Sequence, residues 1–226
     1  MRYLALAVSL FLLTGWSLPE AQVQANKTLV TIGEGQGWCS GTIVSDKYVV
    51  TAAHCLPDTI QDNSKRAAKG QPYGLKLYKP VLVTRHLFDA EGNEIGKIEY
   101  KSLVYKYDRK HDVAIIVNVS ELAYESWVRI NSTPAHFGDK VYAVGNPSMW
   151  YGSVSTGYVI KPKLKMNPGY GDIEGILNDA PIMGGSSGGG LFNDKGELIG
   201  LTNWGYPGTS YRLASPIINY VKLLND

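Results

Sequence analysis

Ser40-Gly41-Thr42-Ile43-Val44-Ser45-Asp46-Lys47-Tyr48-Val49-Val50-Thr51-Ala52 is two apolar runs on either side of a polar turn. Both runs are short and rich in β-branched residues, and turn formers bound them, so the stretch reads as a β-hairpin. The same unit recurs outward in both directions. Strands are expected at 29–32, 40–44, 48–52, 75–77, 81–88, 95–100 and 113–117, and in a second series at 140–144, 153–160, 173–177, 190–192, 198–204 and 211–214. Glu91-Gly92-Asn93 and Asn193-Asp194-Lys195-Gly196 supply further hairpin turns. Many short strands with no helix between them exclude a βαβ fold and require an all-β sandwich or barrels. Residues 120–136, polar and carrying Pro134, read as a linker between one sub-barrel over about 27–119 and another over about 137–226. The last stretch, 216–224, is the exception. Ile217, Tyr220, Val221 and Leu224 share a helical face, Ser215 is placed to cap it, and Pro216 suits a first turn.

Composition agrees. With 44% hydrophobic and 19% charged residues the chain of 226 is too apolar to be disordered and long enough to bury a core. A net charge of +2 gives no argument for a nucleic-acid partner. Residues 1–25 read as a secretory signal peptide: a basic start at Arg2, an apolar stretch over 4–13, the breakers Gly15 and Pro19, and a small-residue cleavage pattern at Val23-Gln24-Ala25. The apolar stretch is shorter than the roughly 20 residues a membrane helix needs, so a secreted or periplasmic protein with no stable membrane insertion is expected. An uncleaved anchor is the alternative. The two cysteines, Cys39 and Cys55, are then either one disulfide in an oxidising compartment or two buried thiols.

Three local patterns carry candidate chemistry: Thr51-Ala52-Ala53-His54-Cys55 at the end of a strand, His111-Asp112-Val113-Ala114 at the mouth of another, and the glycine-rich run Gly184-Gly185-Ser186-Ser187-Gly188-Gly189-Gly190. Each is weak alone, since a Gly/Ser run is by base rate a linker and a lone His is most often structural. Together they supply what acyl transfer needs: a hydroxyl, a base, an acid to orient the base, and backbone donors for an oxyanion. A phosphate-binding loop fails because no Lys-Ser/Thr follows the glycines. Gly185 to Gly189 also matches Gly-x-Ser-x-Gly, but that hydrolase arrangement needs a His after the Ser, and no His follows His136. The order His54, Asp112, Ser187 remains.

With these residues in view, the chain resembles the trypsin-like (chymotrypsin-fold) serine endopeptidases over nearly all of 28–224. Trp38-Cys39-Ser40-Gly41-Thr42-Ile43 through Ala52-Ala53-His54-Cys55 is similar to the family's first-barrel signature, including the spacing of its disulfide around the catalytic His. Asn178-Asp179-Ala180-Pro181-Ile182 leading into Gly185-Ser186-Ser187-Gly188-Gly189 resembles the bacterial HtrA/Deg-type proteases, and Gly200-Leu201-Thr202-Asn203-Trp204-Gly205 resembles the family's substrate-binding strand. The resemblance implies two antiparallel six-stranded β-barrels with a C-terminal helix, a Cys39–Cys55 disulfide, and a protein or peptide substrate. It needs no metal and no cofactor. It implies a triad of His54, Asp112 and Ser187, an oxyanion hole from the N–H groups of Gly185 and Ser187, and substrate binding at Pro181, Ile182, Asn203, Trp204, Gly205 and Thr209.

The sequence also departs from the family. No PDZ domain is expected. Ser186 stands where trypsin carries the Asp that captures a newly cut N-terminus, so activation by a buried N-terminal ion pair is not expected. Asn203 stands where glutamyl endopeptidases often carry a His, so cleavage after Glu is not expected. Pro181, six residues before the nucleophile, puts no carboxylate at the base of the primary pocket, and an unpaired Lys or Arg would lose hydration there. With Gly205 as one wall and Thr209 as the opposite one, cleavage after small or medium aliphatic residues is expected. The alternatives are an inactive homologue acting as a binding module, against which the three motifs are complete, and a small-molecule esterase.

Overall fold

The computed structural model describes residues 17–33, 38–56, 79–166, 173–206 and 208–225. The apolar stretch expected at 4–13 and the strand expected at 75–77 lie outside the described residues. Six strands, β1 (Leu29–Ile32), β2 (Cys39–Ile43), β3 (Tyr48–Thr51), β4 (Lys79–Phe88), β5 (Glu94–Asp108) and β6 (Val113–Asn118), close a barrel in the order β1-β2-β3-β6-β5-β4. After the short β7 (Arg129–Ile130), a second six-strand set follows: β8 (Lys140–Gly145), β9 (Ser153–Met166), β10 (Ile173–Asn178), β11 (Gly190–Asn193), β12 (Glu197–Gly205) and β13 (Arg212–Pro216). Their order is β11-β8-β9-β10-β13-β12, closed by β11 against β12.

Strand alternation sorts the core into layers. On β3, Val49 points into the first barrel with Ile43, Val83, Val104 and Ile116, whereas its neighbour Val50 joins a layer with Ile115, Tyr142, Val144, Phe192 and Leu201 from both barrels. On β6 the same alternation sends Ala114 and Ile116 inward and Ile115 to the shared layer. The second barrel encloses Val141, Ala143, Val159, Ile176, Leu191 and Ala214. The barrels are thus fused through an apolar seam, which holds their facing ends in fixed relation.

The linker is more structured than its composition indicates. Tyr124 N–H and Val128 N–H donate to Asp46 O (3.0 Å) and Ile43 O (3.1 Å), and β7 pairs in parallel with Glu197 and Leu198 of β12. The C-terminal helix, α2 (Ile218–Asn225), begins later than expected. Ser215 and Pro216 complete β13 opposite Leu201 and Gly200, and the Ser215 hydroxyl donates to His111 O (2.6 Å) instead of capping the helix. The buried face is Ile217, Tyr220 and Leu223, with Val221 and Leu224 at its margin. Lys106, itself buried, donates from Nζ to Leu223 O (3.2 Å) and Leu224 O (3.4 Å), putting a cation on the last carbonyls of α2.

A helix was not expected at the other end. α1 (Leu18–Thr28) starts with a capping box, in which Ser17 N–H donates to Glu20 Oε2 (2.8 Å) and Glu20 N–H donates to Ser17 Oγ (3.4 Å). Ala21 and Ala25 are fully buried in the seam, and Gln22 donates from Nε2 to Gly152 O on the second barrel. The leader boundary expected after residue 25 falls inside this packed helix. Among the described residues no helix is long and apolar enough to cross a membrane.

Candidate active site

β3 ends in a 3₁₀ turn, Ala53–Cys55, that carries His54. The disulfide Cys39–Cys55 (S–S 2.02 Å, Cα–Cα 5.9 Å) ties that turn to the start of β2. Asp112 stands just ahead of β6 with φ +52°, a left-handed conformation that a non-glycine residue adopts only when its surroundings hold it. The turn before it is stapled by Asp108, whose carboxylate accepts from Lys110 N–H (2.8 Å), His111 N–H (3.2 Å) and His111 Nδ1 (2.5 Å). In this posture the Asp112 side chain, 3% exposed, grips His54 twice. Oδ1 accepts from the His54 backbone N–H (2.9 Å) and Oδ2 from Nδ1–H (2.8 Å), which leaves Nε2 as the free ring nitrogen and fixes the ring plane.

Asn203 comes from β12 and completes the clamp. Its Nδ2 lies 2.8 Å from Asp112 Oδ2, 3.1 Å from Asp112 O and 2.8 Å from Ser215 Oγ, all of them acceptors for its two hydrogens. The next residue, Trp204, lays its ring against His54 (centroids 4.5 Å apart). Ser187 reaches the same point from the glycine-rich turn, donating from Oγ to Asn203 O (3.3 Å). His54, Asp112, Ser187, Asn203 and Trp204 therefore converge. Among the described residues Ser187 Oγ is not hydrogen-bonded to His54; its hydroxyl rests on the Asn203 carbonyl.

The turn preceding Ser187 is built for exposed backbone donors. Gly185 has φ +96°, and a Cβ there would meet Asn146 O at 2.5 Å. Its carbonyl is held by Ser40 Oγ (2.7 Å) and that of Gly184 by Ser148 N–H (2.8 Å). The N–H groups of Gly185 and Ser187 have no acceptor among the described residues. Ser186 is buried, its N–H donating to Met183 O (3.0 Å). The sequence reading missed the hub of this region. Asn146, 1% exposed, donates to Ser40 Oγ (2.8 Å), Thr31 Oγ1 (3.1 Å) and Val30 O (3.2 Å) and accepts from Gly152 N–H (2.9 Å). Its only signal was a polar residue directly after an apolar strand.

The expected specificity residues fare unevenly. Ile182 packs against the second barrel's core cluster, and Pro181 is exposed, its carbonyl accepting from Ser155 Oγ (2.5 Å). Thr209 is not the wall opposite Gly205. It lies in the exposed turn after β12, its hydroxyl donating to Tyr206 O (3.0 Å), because the turn closes by Tyr206 N–H to Tyr211 O (3.0 Å). The residue opposite Gly205 is Arg212. His86 and His136 stand apart from the site, whereas His111 belongs to the turn that holds Asp112. His86 is buried between Thr31 Oγ1 (3.0 Å) and Glu94 (2.9 Å), and His136 lies beside Asp139 at 3.6 Å.

A fold of paired six-stranded barrels with His, Asp and Ser gathered at their junction defines a class, and comparison with known proteins agrees. The trypsin-like peptidase domain matches residues 39–201, and the chain belongs to that family. It is 29% identical over 181 residues to a probable periplasmic serine endoprotease DegP-like of Chlamydia pneumoniae (72% of this chain, 36% of that one) and 29% identical over 165 residues to the serine endoprotease DegS of Haemophilus influenzae (69% and 48%). It is also 21% identical over 209 residues to human trypsin-3 (87% and 67%). The chain thus spans a third to a half of the length of the first two relatives. The MamO protease domain of Magnetospirillum magneticum, solved in its apo form, shares the fold with a TM-score of 0.65 at 20% identity, over 90% of this chain and 98% of that one.

Proposed function

We propose that this protein is a serine endopeptidase that cleaves protein or peptide substrates through an acyl-enzyme. The observation that carries the reading is the double grip of Asp112 on His54 beside a serine whose turn leaves two backbone N–H groups without acceptors among the described residues. Ser187 Oγ attacks the scissile carbonyl as His54 Nε2 takes its proton. The oxyanion forms against the N–H groups of Gly185 and Ser187. His54 then returns the proton to the leaving amine, and water, activated by the same Nε2, releases the acyl group. Asp112 keeps Nδ1 protonated and stabilises the imidazolium. Backbone around Asn203–Gly205 receives the substrate as an added strand.

Relatives named as periplasmic support export, with a leader inside the N-terminal residues. Complete motifs and an intact clamp favour an active enzyme over an inactive binding homologue. The test is peptidase activity of purified Ser187→Ala. Loss of several orders of magnitude in kcat, leaving only binding and oxyanion contributions, is expected; near-full activity overturns the assignment.

A further inference from the structure

Opposite Gly205, which has no side chain, stands an arginine, Arg212, with no carboxylate partner among the described residues. The register pairs Gly205 with Arg212, and a Cβ on Gly205 would meet Arg212 Cδ, Nε and Nη1 at 3.8, 3.9 and 3.9 Å, so the arginine side chain covers the space the glycine leaves. Nη1 is anchored to Thr209 O (2.9 Å) and Tyr211 O (2.8 Å). Nε is buried, and neither it nor Nη2 has a hydrogen-bond partner among the described residues. Those two nitrogens share one edge of the guanidinium, the edge that grips a carboxylate with two parallel bonds.

The place of Arg212 follows from the site. Asn203 O holds the Ser187 hydroxyl, and Gly205 lies two residues further along the strand, about 7 Å at the usual rise. Residues 180–187 run back to the same serine from the other side. On β13, Ala214 shares the face of Arg212 by strand alternation, and Ala214 packs in one apolar cluster with Ala180 and Ile182. Arg212 therefore faces the space between 180–184 and 203–205, the two segments that converge on Ser187.

We infer that Arg212 is the specificity residue of the site and that the residue cleaved after is acidic, Asp or Glu. This rests on the endopeptidase reading above. An aliphatic side chain would leave a half-buried cation unpaired, and Lys or Arg would add a like charge. A carboxylate satisfies Nη2 and Nε together. Charge-assisted pairing of this kind is worth about ten- to a hundredfold in kcat/KM. The aliphatic preference expected from Thr209 is replaced, because the turn 206–211 puts Arg212 where Thr209 was expected.

Two measurements test it. Wild-type protein is assayed on quenched peptides differing only in Asp, Glu, Leu, Ala or Lys before the scissile bond. Separately, the Ser187→Ala protein, alone and combined with Arg212→Ala or Arg212→Lys, is titrated with N-acetyl peptides ending in Glu-amide or Leu-amide. We expect at least about tenfold preference for the acidic peptides in both, lost in Arg212→Ala and reduced but not lost in Arg212→Lys, which keeps the charge without the two-bond edge. Cleavage after Leu or Ala with equal binding of both amides overturns the pocket and leaves the enzyme standing. Absence of any cleavage with acid-selective binding overturns the endopeptidase reading and leaves the pocket standing.

Discussion

Asn203→Ala removes the third arm of the Asp112 clamp. The Asp112 carboxylate has three donors: the His54 N–H at 2.9 Å, Nδ1–H at 2.8 Å and Asn203 Nδ2 at 2.8 Å. Asn203 has two hydrogens, and its better-placed acceptors are Asp112 Oδ2 and Ser215 Oγ, both at 2.8 Å. Losing a hydrogen bond to a buried charge costs about 1.5–3 kcal/mol. Refilling of the vacated space by water offsets the neutral bond to Ser215. A net loss of about 2 kcal/mol lowers Tm by about 4–8 °C for a domain of this size. With Asp112 free to tilt, His54 loses its fixed plane, and kcat falls about tenfold, equivalent to about 1.4 kcal/mol of barrier, while KM is little changed. Differential scanning calorimetry beside steady-state kinetics measures both. A Tm within about 1 °C of wild type together with unchanged kcat refutes the clamp as the element that positions Asp112.

Three further outcomes are expected. Gly188 sits at φ +81° with its missing Cβ 2.1 Å from Thr51 Oγ1 and 2.3 Å from Ser40 O, so Gly188→Ala pushes the nucleophile turn off the first barrel and lowers stability by more than about 3 kcal/mol, read by urea unfolding. Replacing Cys39 and Cys55 together by Ser opens a loop with a sequence separation of 16 and lowers stability by about 3 kcal/mol in the chain-entropy account, again by urea unfolding. Gln22→Ala keeps α1, since alanine is the better helix former, but frees Gly152 O, so hydrogen exchange quickens at Gly152 while the α1 amides are unchanged.

The barrels were legible because each strand declares itself by alternation and each hairpin by its turn: Ser45-Asp46-Lys47 and Asn193-Asp194-Lys195-Gly196 fall where expected. The meeting of His54, Asp112 and Ser187 was legible because each lies in a local pattern. What was not legible depends on contacts distant in sequence. α1 was hidden because the features that mark a leader's end, Pro19 and small residues, also make a capped helix with a buried alanine face. The Ser17-x-x-Glu20 capping box was the signal to read. Ser215 has the chemistry of a helix cap, but β12 takes it as a strand residue and His111 O takes its hydroxyl. Arg212 was passed over because the length of the 206–211 turn decides which residue faces Gly205, and only the strand register fixes that.

The central claim is that Ser187 is a nucleophile activated by the His54–Asp112 pair. Its most direct measurement is mass spectrometry of the purified protein after exposure to a fluorophosphonate. The account predicts one phosphonyl adduct, on the peptide carrying Ser187, formed at a rate reduced about 10⁴-fold in Asp112→Asn, as in a chymotrypsin-type triad. An unlabelled Ser187, or labelling indifferent to Asp112→Asn, would contradict it.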